Sequence, residues 1–172
     1  TALSKIDSRL IDEVLLIPGP YSALYGPAFQ YIDFQLLKTP RSDNGLQWNG
    51  RTGFDFNSNG NQVLGHQGFS GGGENWGIRF DYTHRNGDNY RTGAGNRIAA
   101  EYESREFTLA FGRDFGDGRS IELSALRLDQ TDVDFPGYVF DLDILMTDAY
   151  EITYIDENPW LSDRSETEVW YN

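Results

Sequence analysis

The chain has no cysteine, so neither a disulfide framework nor a thiolate metal site enters the account. Basic residues are few: 14 Lys and Arg stand against 27 Asp and Glu, for a net charge of -13. Tracking a phosphate backbone needs clustered cations, and here they are scattered, which argues against nucleic acid as a partner. No apolar run approaches the roughly 18 residues that a membrane-spanning helix requires. That excludes a helical span and nothing more, because a transmembrane strand needs only about 9–11 residues with apolar side chains at alternate positions. Histidine is sparse too. His66 and His84 lack a third ligand at metal-site spacing, so no metal centre and no cofactor is expected. The aspartates Asp129, Asp132, Asp134, Asp141 and Asp143 do not follow the spacing of a calcium loop and read as a solvated acidic rim.

What the chain does have is aromatic residues, at 15%, and 19 glycines, with low mean hydropathy. This composition suits strands that bury one face and are joined by flexible turns. From Leu46 the period is two. Leu46, Trp48, Thr52, Phe54 and Phe56 alternate with Gln47, Asn49, Arg51 and Asp55. Trp76, Ile78, Phe80 and Tyr82 alternate with Gly77, Arg79, Asp81 and Thr83. Phe107, Leu109 and Phe111 continue the pattern, as do Ile121, Leu123 and Ala125, with a parity change near Leu126 that predicts a bulge. Tyr150, Ile152 and Tyr154 mark a sixth strand, Val169 and Tyr171 a seventh, and Asn61 to Ser70 a weaker one between the first two.

The links alternate in length after the first hairpin. Short links are expected at 71–75 and 116–118 and a moderate one at 156–163, with long loops at 85–104 and 131–147. In an up-and-down meander this puts short turns at one rim and long loops at the other, the asymmetry of outer-membrane barrels. Alternation by itself fits a soluble barrel with its aromatics inside almost as well. A soluble β-barrel or β-sandwich binding module, for carbohydrate among other ligands, therefore stays open at this level.

Residues before Leu46 differ in kind. Ile6 to Ile17 and Tyr31 to Leu37 are apolar runs without strict alternation, as in strands buried on both faces. Between them lies GPYSALYGP. Pro18-Gly19-Pro20 ends the first run, Ser22 caps a single helical turn, Gly26 takes the left-handed closing position and Pro27 prevents extension. Ser22 is no nucleophile elbow, since Leu24 occupies the place of the second glycine in G-x-S-x-G. With no catalytic constellation elsewhere, the chain is not expected to be an enzyme.

The segment IDEVLLIPGPYSALYGPAFQYIDFQLLKTP resembles the C-terminal end of the plug domain in TonB-dependent outer-membrane receptors. Gly19, Pro20, Ser22, Ala23, Leu24, Tyr25 and Gly26 match seven of eight contiguous positions of the family's turn. Pro18 replaces the basic residue usual before Gly-Pro, as in a divergent branch. The resemblance implies a mainly β fold: an antiparallel up-and-down transmembrane β-barrel segment preceded by the end of a small α/β plug domain. The plug part is expected at 1–40, a linker at 41–45 and the first six or seven barrel strands at 46–172. Since the family barrel has about 22 strands, and an open sheet edge in lipid leaves costly unsatisfied backbone groups, the chain is expected to be an internal segment of a longer receptor.

By the same resemblance the function is TonB-dependent active transport of a scarce ligand, such as a metal chelate, cobalamin or a glycan, across the outer membrane. The partners implied are the TonB complex, the ligand and outer-membrane lipid. Candidate ligand contacts are Tyr90, Arg91, Phe135, Tyr138, Phe140 and Asp141 in the long loops. Arg51, Asp55, Arg79 and Asp81, on the polar faces, are candidates for lining the lumen or gripping the plug.

Overall fold

The alternating segments pair in sequence order. In the computed structural model, which describes residues 7–18, 30–137 and 141–172, seven strands form one antiparallel sheet. They are β3 (Gln47–Asn57), β4 (Gln62–Gly73), β5 (Trp76–Gly87), β8 (Tyr102–Gly116), β9 (Arg119–Val133), β10 (Leu142–Asp156) and β11 (Ser165–Tyr171). A two-stranded insert, β6 (Tyr90–Arg91) with β7 (Arg97–Ile98), lies in the link between β5 and β8. Ahead of the sheet, a 3-10 turn (Ser8–Leu10) leads into β1 (Ile11–Pro18), which pairs antiparallel with β2 (Gln30–Leu36). The described chain is thus mainly β with antiparallel pairing throughout.

Register follows the period of two. On one face, cross-strand neighbours run Trp48, Gly71, Ile78, Phe111, Leu123, Ile152, Val169, and in the next row Phe69, Phe80, Leu109, Ala125, Tyr150, Tyr171. Apart from Gly71, which lies beneath Trp48, these residues are exposed or half-buried; Leu109 keeps 49% of its surface. Trp48 stacks on Phe69 with centroids 5.0 Å apart, and Tyr82 meets Phe107 at 4.6 Å. The opposite face carries the buried groups, among them His66, Asp81, Thr83, Glu106 and Leu128.

Three expectations need correction. No bulge interrupts β9 near Leu126, where pairing with β8 and β10 is continuous; the register shifts instead between Asp114 and Gly116. The sequence shows a change of parity because Leu126 and Leu128 sit on the inner face, Leu128 directly opposite Glu106, while Arg127 and Asp129 pair with each other outside. The loop expected at 131–147 is shorter, because Leu142 and Ile144 pair with Val133 and Thr131. Among the described residues, the two runs expected to be buried on both faces pair with each other and with no third strand, and Val14, Leu16 and Ile32 stay exposed.

The links between the sheet strands fall at two rims. One has the two-residue turns Glu74-Asn75 and Asp117-Gly118 and the link at 157–164, and the other has the links at 58–61, 88–101 and 134–141. Positive φ at Asp117 (54°) and Gly118 (75°) is what a two-residue hairpin demands.

Candidate functional site

The inner face of the sheet is where the N-terminal segment docks, at two places. The first lies close to the short-turn rim. Gly72, Gly77 and Gly112 are neighbours across β4, β5 and β8 and are followed in β9 by Glu122. The three glycines form a floor without side chains. A Cβ on Gly77 would collide with the Pro40 carbonyl oxygen, and one on Gly112 with the Thr39 hydroxyl and Glu122. Residues 39–41 therefore lie directly on the sheet backbone.

Charge fixes the segment there. Arg41 binds Asp114 with two hydrogen bonds, from Nε at 2.9 Å and Nη2 at 3.1 Å, and Nη2 also reaches Glu122 at 3.2 Å. The Thr39 hydroxyl donates to Glu122 at 2.7 Å and accepts from Arg41 Nη1 at 2.6 Å. Planar guanidinium-to-carboxylate pairing of this kind sets orientation as well as attraction. Ser42 N donates to the Gly73 carbonyl at 3.0 Å and closes the rim end.

The second place is a buried polar cluster further along the strands. His66, Thr83, Glu106 and Leu128 form one cross-strand row. Asp7 inserts above it: its backbone N–H donates to Glu106 Oε2 at 2.9 Å, and its carboxylate accepts from the Thr83 hydroxyl at 2.8 Å. Because that hydroxyl has one hydrogen and gives it to Asp7, its 2.9 Å contact with His66 must be donated by Nδ1–H. Asp7 also caps the 3-10 turn by accepting from Arg9 N at 3.0 Å, and Arg9 reaches across to Asp55. Arg85 Nη2 stands 4.0 Å from Glu106 Oε2. Glu106 and Thr83 are each 1% exposed, so this cluster is shut from solvent.

Thr83→Val tests the cluster. It keeps the shape but removes a hydroxyl that serves two partners, and leaving buried partners unsatisfied costs about 1–3 kcal/mol. The expected result is amide exchange at Leu10, whose N–H bonds the Asp7 carbonyl, at least about tenfold faster.

The sequence-derived candidates distribute as follows. Asp55 is held by Arg9, and the Arg79 Nε donates to the Lys38 carbonyl at 3.2 Å. Asp81 is buried, with Oδ1 facing His66 Nε2 at 3.5 Å. Arg51, Arg79 and Asp81 share a recess of about 350 Å³ on the inner face.

At the long-loop rim, Arg91 and Asn59 exchange two bonds of 2.8 Å, and Tyr90 lies over Gly60. Phe135 N donates to Asp141 at 3.2 Å. A bond from Asp134 N to the Glu101 carbonyl, 2.9 Å, ties the bases of the two loops. Tyr138 and Phe140 lie outside the described residues, as does the whole turn from Gly19 to Gly26. His84 contacts Glu103 at 3.0 Å, and no group of three or more potential metal ligands forms among the described residues.

Asp7, Arg9, Glu106, Thr39, Arg41, Asp114 and Glu122 are not singled out by sequence reasoning. The available signal is a carboxylate inside an aromatic alternation, as at Glu106 within REFTLAF, and a glycine at a polar-face position of a strand, as at Gly77 and Gly112.

No family model and no curated protein sequence matches the chain. Among solved structures, it is similar to one described as "Copper transporter OprC", with a TM-score of 0.83 at 20% identity over 97% of this chain. The match covers 26% of that structure, so the chain spans about a quarter of its length. The likeness is one of fold, to a protein whose name describes a transporter and not an enzyme.

Proposed function

We propose that this chain is the plug-to-barrel junction of a TonB-dependent outer-membrane transporter. In this reading 1–40 end the plug, 41–45 cross to the wall and 46–172 supply the first seven barrel strands. One observation carries it: the sheet buries its polar face under the N-terminal segment and leaves its aromatic face exposed. A water-soluble sheet does the reverse. An apolar exterior around a polar interior suits a barrel wall in lipid, and the short-turn rim becomes the periplasmic one. The plug then enters from that rim, where Arg41 and Ser42 are tied down.

The cargo belongs to a class that needs active uptake: a metal chelate, cobalamin or a glycan, with copper added by the name of the structural neighbour. The chain offers no thiolate for a soft metal, and its one methionine, Met146, points to the outer face. Loop residues Tyr90, Arg91, Phe135, Tyr138, Phe140 and Asp141 are proposed to meet the cargo, while the TonB complex engages the receptor outside this chain.

Fractionation of cells expressing the full-length protein tests this. It is expected in washed outer membranes, soluble only with detergent, and its gel mobility should shift on boiling. Monodisperse protein in plain buffer, absent from the membrane fraction, would overturn the reading.

A further inference from the structure

Four buried groups lie in a line from the N-terminal segment into the wall: the Asp7 carboxylate, the Thr83 hydroxyl, the His66 ring and the Asp81 carboxylate. They make three contacts. Thr83 Oγ1 meets Asp7 Oδ2 at 2.8 Å, His66 Nδ1 meets Thr83 Oγ1 at 2.9 Å, and His66 Nε2 faces Asp81 Oδ1 at 3.5 Å. The last is long for a hydrogen bond, and Nε2 has no hydrogen-bond partner among the described residues. Gly68 makes room for this facing pair, since a Cβ there would collide with Asp81 Oδ1 and stand 3.2 Å from His66 Nε2.

Each of the three contacts needs one hydrogen, or lone pairs face one another. A neutral imidazole and a hydroxyl carry two between them, and ionised carboxylates bring none. With the segment docked, Thr83 gives its hydrogen to Asp7 and Nδ1–H serves Thr83. A neutral ring would then turn a bare Nε2 toward the Asp81 carboxylate. With Asp7 lifted away, two contacts remain and two hydrogens suffice: Thr83 donates to Nδ1, and the ring carries its own hydrogen on Nε2. The count is the same whichever atom of a contact holds the hydrogen. Docking therefore calls for one proton that the undocked wall does not need.

We propose that docking of the N-terminal segment takes up one proton, held between His66 Nε2 and Asp81 Oδ1, so that lower pH fastens Asp7 to the sheet and higher pH releases it. The sign follows from the count: the docked state binds more protons, so docking weakens as pH rises. Neighbouring charges do not replace that proton. On the N-terminal segment, Arg9 stands 3.7 Å from Asp7 Oδ2 and is bonded to Asp55 of β3. On β5, Arg79 donates to the Lys38 carbonyl, and Arg85 lies 4.0 Å from Glu106 of β8, which accepts from Asp7 N. Arg51 of β3 lines the recess beside Asp81. These groups supply charge around the pair and no hydrogen between His66 Nε2 and Asp81 Oδ1. The device needs only that Asp7 docks on the inner face, so it stands or falls separately from the transport reading.

Amide exchange of the Leu10 N–H in the full-length protein, corrected at each pH for its intrinsic rate, reads the docking equilibrium. Its protection is expected to fall at least about tenfold from about pH 6 to about pH 8, one proton allowing at most about tenfold per unit. Amides in the β9–β10 pairing, remote from the cluster, are expected to keep theirs. Two variants remove the dependence by different routes. His66→Asn keeps a donor near the Nδ1 position and takes up no proton. Asp7→Asn brings a hydrogen of its own to Thr83 and still caps the 3-10 turn. In both, Leu10 protection is expected to stay level across the same range. If His66→Asn fails to fold, Asp7→Asn, which leaves the wall untouched, decides. Level protection in the unaltered protein, or a fall that persists in either folded variant, would overturn the proposal.

Discussion

Gly77→Val is expected to release residues 39–42 from the sheet. The new Cβ would fall on the Pro40 carbonyl oxygen, and neither the β5 backbone nor the segment can yield without breaking other bonds. Overpacking of this kind costs about 1–3 kcal/mol, occasionally more. Lifting the segment also forfeits the Arg41–Asp114 and Thr39–Glu122 bonds. Hydrogen bonds to charged groups contribute about 1.5–3 kcal/mol, discounted here because Asp114 is over a third exposed. A net loss of about 3 kcal/mol raises the undocked fraction by about two orders of magnitude. Trypsin reads it directly at the Arg41–Ser42 bond, which should be cut about 100-fold faster in the variant. Gly65→Val is the control, since a Cβ there meets nothing within 4 Å. Unchanged cleavage in Gly77→Val would mean that the glycine floor does not hold the junction.

The second large effect concerns the outer face, and its signature is a gradient. Leu109 sits in the middle of the aromatic band, with Phe80 and Ala125 beside it. Phe115 lies at the short-turn end of the same strand and is also exposed. If this face meets lipid, an arginine at the midplane costs about 2–4 kcal/mol and one near the interface about 0–1. Leu109→Arg should therefore lower unfolding stability in vesicles by about 2–4 kcal/mol, and Phe115→Arg by less than about 1 kcal/mol. Equal losses at the two positions would contradict a lipid-facing band.

The strands of the large sheet were legible because each keeps one parity for its apolar residues over several positions. WGIRFDYT is the clearest case, and its Asp81 and Thr83 are indeed the buried ones. Legibility ended where a second influence acts on the inner face. Leu128 is apolar on the wet side because it lies in the row beneath Asp7, and with Leu126 beside it on the same face the stretch looks like a bulge in sequence.

The docking cluster was hidden for a different reason. Asp7 and Glu106 are 99 residues apart, and no local spacing announces a bond between them. Gly72 falls in the short link expected at 71–75, yet it lies within β4, where its role is to let another backbone approach. The turn from Gly19 to Gly26, the strongest sequence signal, lies outside the described residues, so the family resemblance and the sheet geometry support the proposal independently.

The central claim is that the aromatic face meets acyl chains while the polar face does not. This chain contributes no cysteine, so single cysteines are placed in it after any thiol elsewhere in the full-length protein has been replaced by serine. Leu109→Cys and Thr108→Cys, adjacent in β8 and on opposite faces, would each carry a small fluorophore in the full-length protein in vesicles of brominated lipid. Strong quenching at position 109 and little at 108 is the predicted result. Equal quenching at both, or none at 109, would contradict the account.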